Sequence, residues 1–290
     1  MLVRLSLALL AVVNFASMAD GEPPVVELLK LHTSEAEAYR MCRDAAHQES
    51  LELNPKPVFN WTNLVGEHTQ YGHLFVWLHR GRPEVIGTIF STRMSDAAKR
   101  KVVHEFHTLA TRQLFPVTPS GSNYQWLPER GIELAPLDDA PAVAAGGQRQ
   151  SQMRSLARTY SASSRSREGK TWELKLLPTP LFTYEPEGGE VLAGGLFALI
   201  SSAGTDPEVL LLIEARHPAS DDKAWAWHSA ALRFSDKDLS VKRNGKLVWS
   251  SETDESKHGD INASYTLIQT PDKTYTCYHS RTIAELPDAP

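Results

Sequence analysis

The chain has 290 residues, 22% of them charged and 41% hydrophobic, with a formal net charge of −5. That acidic balance excludes a general nucleic-acid binder, which carries a basic excess, and the length suits two modest domains or one large one. After the first residues there is no long uncharged apolar run, which excludes a transmembrane helix in the mature chain.

Residues 1–19 read as a secretory signal peptide, with Arg4 as the positive end, Leu5 to Val13 as the apolar stretch and Ser17-Met18-Ala19 as the cleavage site. The mature protein is then expected to start near Asp20 and to be periplasmic or extracellular. A first helix is predicted from Thr33 or Ser34 to about His47. Ser34 and Glu37 stand at capping-box spacing, and Ala38, Met41, Cys42 and Ala45 form its apolar stripe. Strands follow over Val58–Trp61, His73–His79, Val85–Ser91 and Val102–Leu109, then a hairpin turning near Gly121 toward Trp126.

Ala135 to Gln148, rich in Pro, Ala and Gly, reads as a linker. A second helix is predicted over Arg149–Ala162, with strands over Thr171–Leu177, Leu181–Tyr184, Gly195–Ser201, Val209–Ala215 and Ala224–Phe234. Asn244-Gly245 marks a tight hairpin before Trp249. The basic residues from Arg149 to Lys170 read as a solvated face. The tail, 252–290, carries one further hairpin over Tyr265–Gln269 and Thr274–Tyr278.

The second half repeats the first. Pro55-Lys-Pro-Val-Phe-Asn-Trp61 returns as Pro178-Thr-Pro-Leu-Phe-Thr-Tyr184 (178 − 55 = 123). Leu74-Phe75, Pro83-Glu-Val85, Phe106-His-Thr-Leu-Ala110 and Trp126 return in the same order as Leu196-Phe197, Pro207-Glu-Val209, Trp227-His-Ser-Ala-Ala231 and Trp249. The period is far longer than a solenoid unit, so it points to duplication of a whole module. The expected fold is α+β: modules 33–134 and 149–251, each one helix packed on an antiparallel sheet of about five strands.

His104-Glu105-Phe106-His107 resembles a metal-binding motif, and a metal reading would use His104, Glu105 and His107. On a strand, however, residues three apart point to opposite faces, and the spacing is not that of zinc hydrolases. His107 and His228 form a pair across the repeat, flanked by Trp225 and Trp227, and are the candidate ligand-binding residues. Recurrence of Trp at matching strand positions favours core packing over a sugar-stacking surface. Cys42 and Cys277 are equally consistent with a disulfide in an exported protein and with buried thiols. The sequons at Asn60 and Asn262 matter only in a glycosylating host. No nucleophile elbow, phosphate loop, dinucleotide fingerprint or Cys-x-x-Cys pair is present, so no cofactor and no catalytic residue is assigned.

Pro55 to Asn63, Gly81-Arg-Pro-Glu-Val85, His104-Glu-Phe-His-Thr-Leu109 and Asp206 to Arg216 resemble a group of secreted proteins of planctomycete bacteria that has no assigned activity. The resemblance spans roughly Thr33 to Ser250. It implies export and a bacterial envelope setting, and no catalytic residues. The reading that follows is an exported, non-catalytic binding or structural protein of the cell envelope. Its partner would be a small molecule, a glycan or an envelope protein, bound in a groove between modules. The alternatives are an exported metal-dependent hydrolase centred on His104, Glu105 and His107, or a glycan-binding module.

Overall fold

The computed structural model describes residues 25–65, 68–94, 99–143, 145–187, 189–202, 204–217, 225–252 and 267–286. The expected signal peptide lies outside them. Helix α1 (Val25–Glu37) precedes strands β1 (Glu52–Leu53), β2 (Phe59–Val65), β3 (His68–His79), β4 (Arg82–Arg93) and β5 (Lys99–Thr108). Strand β6 (Ala135–Pro141) and helix α2 (Gly146–Ala157) lead to β7 (Tyr160–Arg165), β8 (Thr171–Leu176), β9 (Phe182–Tyr184) and β10 (Val191–Ile200). Then come β11 (Pro207–Arg216), β12 (Ala226–Arg233), β13 (Asp238–Arg243), β14 (Lys246–Ser251), β15 (Leu267–Gln269) and β16 (Tyr275–Ala284).

The expected pair of helix-on-sheet modules is not what forms. Strand makes up 52% of the structure and helix 11%, in two antiparallel sheets. One has seven strands in the order β1-β3-β4-β5-β16-β15, with β2 also on β3. The other has nine, in the order β14-β13-β7-β8-β10-β11-β12-β6, with β9 also on β10. The nine-stranded sheet comes from one contiguous stretch, β6 to β14, whereas the seven-stranded sheet does not. β16 returns from the C-terminus to pair along β5 from Tyr275↔His107 to Ala284↔Lys99. The segment expected as a linker supplies β6 at an edge of the larger sheet. The second copy's hairpin does turn at Asn244-Gly245, both at positive φ (49° and 78°). The first copy has no counterpart: Trp126 lies outside the strands and stacks on Phe106 with ring centroids 5.2 Å apart.

The helices are displaced for local reasons. The first ends at Glu37, and the apolar residues expected to continue it lie in an irregular segment where Arg40 bridges Val117 and Cys42 bridges Ser50. The Asp44 carboxylate accepts the N–H groups of Gln48 and Glu49 (2.9 and 2.7 Å), offering the backbone an alternative to the helix. The second helix stops at Ala157 because period-two burial begins at Tyr160: Tyr160, Ala162 and Ser164 point inward. Arg149 is buried rather than solvated, with its guanidinium on Val143 O and Glu185.

One meander nevertheless recurs in both sheets. Val58 N–H donates to Leu74 O, and Leu181 N–H to Leu196 O, both at 2.7 Å. Asn54 to Val76 O and Leu177 to Ala198 O, both 2.9 Å, repeat the same relation one step along. Leu109 N–H donates to Glu84 O at 2.7 Å, and Phe234 N–H to Glu208 O at 2.9 Å. This last pair makes Leu232 the structural counterpart of His107. The sequence likeness had instead matched His107 with His228, four residues out of register (232 − 228 = 4).

The sheets pack face to face. Leu74, Val76 and Ile86 of the first meet Leu196, Ala198, Leu210 and Leu212 of the second. The opposite face of β10 and β11, with Phe197, Leu211 and Ile213, packs on Met153 and Leu156 of α2. Burial on both faces explains the unbroken apolar run Val209–Ile213. The nine-stranded sheet curls around this second core, bringing Ala162 of β7 and Val241 of β13 against Trp227 of β12. A third core joins Ala36 of α1 and Trp126 to Phe75, Trp77 and Phe106. One buried ionic pin crosses between the sheets: Arg82 Nε donates to Glu214 Oε1 at 2.8 Å, and Tyr184 OH to the same oxygen at 2.6 Å.

Candidate functional site between the sheets

Strand β5 separates the motif His104-Glu-Phe-His107 onto two faces. Val102 and Phe106 belong to the core under α1, whereas Val103 belongs to the core between the sheets. His104 therefore lies under α1, and Glu105 and His107 lie between the sheets. The two histidines cannot hold one ion, and among the described residues no three His, Cys, Asp or Glu side chains come together to hold a metal.

His104 takes part in docking the helix. It is fully buried, with Nδ1 2.5 Å from Tyr39 OH and Nε2 3.3 Å from Glu35 of α1, while Tyr39 OH also meets Tyr278 OH. Burial lowers its pKa, with Glu35 opposing. Arg281 Nε donates to Glu35 at 2.9 Å from the other side. Burial raises the Glu35 carboxyl, but His104 and Arg281 outweigh it and the net direction is down. His32 of α1 makes a second polar anchor, 2.7 Å from His73 and 2.9 Å from Ser91.

Glu105 sits in different surroundings. Tyr275 OH donates to its Oε1 at 2.7 Å, and the pair opens on a cavity of about 160 Å³ between the sheets. Trp61, Gln70, Lys101 and Cys277 line the first-sheet side, and Asp206 and Asp236 approach from the turns of the second sheet. Burial pushes the Glu105 carboxyl up to about 8, with Asp206 and Asp236 adding to the effect and the Tyr275 hydrogen bond opposing it. Burial likewise raises Asp206 to about 6, and burial with Glu105 nearby raises the Cys277 thiol. Glu105 is thus a neutral hydrogen-bonding acid at pH 7.

His107, two residues along the same face, lines a larger groove of about 870 Å³. Its Nδ1 lies 2.7 Å from the carbonyl of Thr108, so Nδ1 carries the proton and Nε2 remains an acceptor. Burial lowers its pKa to about 4. The groove is the open seam of the curled sheet: β14, through Trp249, and β12, through Leu232 and Arg233, face each other across it. Arg233 pins one end, donating from Nε to Ser251 Oγ at 3.0 Å and from Nη1 to the carbonyls of Ser235 and Lys237.

The remaining sequence candidates do not join this site. Trp227 is buried in the core beside α2, and its Nε1 has no partner among the described residues. His228 is half-buried, with Nδ1 3.2 Å from Ala226 O. Trp225 packs edge-on against His217. Cys42 and Cys277 are both free thiols: Cys42 contacts Arg40 O and Ser50, while Cys277 lines the Glu105 cavity. The residues that sequence reasoning missed are Gln70, Lys101, Asp206 and Tyr275. Their common signal is a polar side chain within an apolar strand or just before one, and it carries meaning only once the sheets are paired.

No protein-family model, no curated protein and no solved structure matches this chain.

Proposed function

We propose that the protein is an exported, non-catalytic binding protein of the bacterial cell envelope that holds its ligand between the two sheets. The observation that supports this is a break in close packing. The interface between the sheets is filled with apolar side chains over most of its area, yet it opens twice along one face of β5, at Glu105 and at His107. Interiors are close-packed as a rule, and a polar recess in an apolar wall is the usual form of a ligand site. Export rests on the leader-like residues 1–19 and on the resemblance to secreted planctomycete proteins.

The arrangement favours binding over catalysis. His107 commits Nδ1 to a backbone carbonyl, and among the described residues it has no hydrogen bond to a hydroxyl, thiol or carboxylate. An activated nucleophile requires such a partner. We further infer that the two meanders descend from one duplicated unit, on the strength of their recurring hydrogen bonds.

Native mass spectrometry of the protein from its own host, purified without chelator, tests the reading. The expected result is a polypeptide starting near Asp20 with a small-molecule adduct that denaturation releases. Turnover of that molecule, abolished by His107→Ala or Glu105→Gln in a folded variant, would instead establish an enzyme.

A further inference from the structure

The cavity beside Glu105 contains hydrogen-bonding capacity that the protein does not use. Gln70 of β3 is only 8% exposed, yet its side-chain amide makes no hydrogen bond to any described residue. The amide lines the cavity, where it is open to a partner from outside the fold. Glu105 has one oxygen to spare as well. With Tyr275 donating to Oε1, the acid proton resides on Oε2 and is available to an acceptor. Asp206 faces the same space as an acceptor, and Asn63 supplies a second amide.

The walls decide which chemistry fits. Asp206 and Asp236 line the cavity with Lys101 and Lys237, and Lys237 is held by Glu208 at 2.6 Å, so no cationic excess is left to hold an anionic ligand. Trp61 Nε1 already donates to Thr88 Oγ1 at 2.9 Å, so the indole contributes apolar surface beside Phe90 and Phe234. Paired donors and acceptors next to aromatic carbon match a ring that carries hydroxyl groups, since each hydroxyl both donates and accepts. The volume holds roughly five to ten waters, which is the scale of a single ring.

We propose that this cavity binds one uncharged polyhydroxyl ring, the size of a monosaccharide unit, through Gln70, Glu105 and Asp206 with Trp61 as its apolar wall. The assignment rests on the interface being a ligand site, and it adds the ligand class and the residues that read it.

Isothermal titration of the full mature protein with neutral hexoses, pentoses and inositols, alongside a uronate and an amino sugar, tests the assignment. At least one neutral compound is expected to bind saturably. Gln70→Leu should weaken that binding by about tenfold or more with Tm little changed, because the amide makes no hydrogen bond to any described residue. Glu105→Leu, which removes the donor, should weaken binding as well. Saturable binding of only the uronate or the amino sugar, lost in Gln70→Leu, would overturn the ligand class and leave the inter-sheet site standing. Binding that is indifferent to Gln70 and lost in His107→Ala would move the ligand to the groove. Binding of none of these compounds overturns the assignment. If no adduct accompanies the protein from its host either, the wider binding reading falls with it.

Discussion

Trp61 of β2 lies over Gly72 of the adjacent β3, so closely that a Cβ at position 72 would come within 2.1 Å of the indole ring. Tyr184 of β9 lies over Gly194 of β10 in the same way, with a Cβ at 2.3 Å. Each pair sits directly cross-strand in its sheet, Trp61↔Gly72 and Tyr184↔Gly194. An aromatic ring that covers a cross-strand glycine pins strand register and fills the space the glycine leaves. Gly72→Ala should therefore destabilise the protein by about 1–3 kcal/mol through overpacking, and Gly194→Ala by a similar amount. Trp61→Leu placed on Gly72→Ala should recover part of the loss. Urea unfolding of the unaltered protein and these three variants measures this, and a neutral Gly72→Ala would show that Trp61 repacks freely.

Glu105 gives the stability a definite dependence on pH. Its carboxyl is raised from 4.5 to about 8, chiefly by burial. A group whose folded value exceeds its unfolded value adds stability below the unfolded value, and that contribution is lost as pH rises from 4.5 toward 8. The amount is on the order of 4 kcal/mol. Glu105→Gln, which is neutral throughout, should lose this slope while keeping a partner for Tyr275. Unfolding free energies at pH 5 and pH 8.5 compare the two proteins, and parallel slopes would refute the assignment. His107 acts in the opposite sense. It is lowered from 6.5 to about 4, so its contribution is present above pH 6.5 and declines as pH falls toward 4.

The ionic pin between the sheets should be sensitive to loss of either member. Glu214 is fully buried and accepts from Arg82, Tyr184 and, at 2.7 Å, Arg216. Glu214→Leu leaves Arg82 buried opposite an apolar side chain, at a cost of about 3–5 kcal/mol. The double variant Arg82→Met, Glu214→Leu should cost clearly less than the two single changes added together. Additive losses in a double-mutant cycle would mean that the pair is not coupled.

Much of the meander was legible in the chain. The Pro-x-Pro elements, the apolar runs at His73–His79 and Val209–Ala215, and the Asn244-Gly245 turn depend on local alternation and turn chemistry, which are written in neighbouring residues. The helix boundaries were misplaced because Met41 and Cys42 are apolar for a different reason: they are packed as irregular chain under the first sheet. Alternation along β5 also separated His104 from His107 correctly. It could not say which face held a helix and which held a second sheet.

Short-range periodicity in the chain was enough to mark most strands of the meanders and to put His104 and His107 on opposite faces of β5, but it read β6 as linker. Pairing across the whole fold was needed to show that β16 completes the first sheet, that Leu232 rather than His228 is the counterpart of His107, and that Gln70, Asp206 and Tyr275 line one cavity with Glu105. Those contacts join residues far apart in the chain, and their pairing is selected by burial of whole sheet faces, a quantity no local window contains.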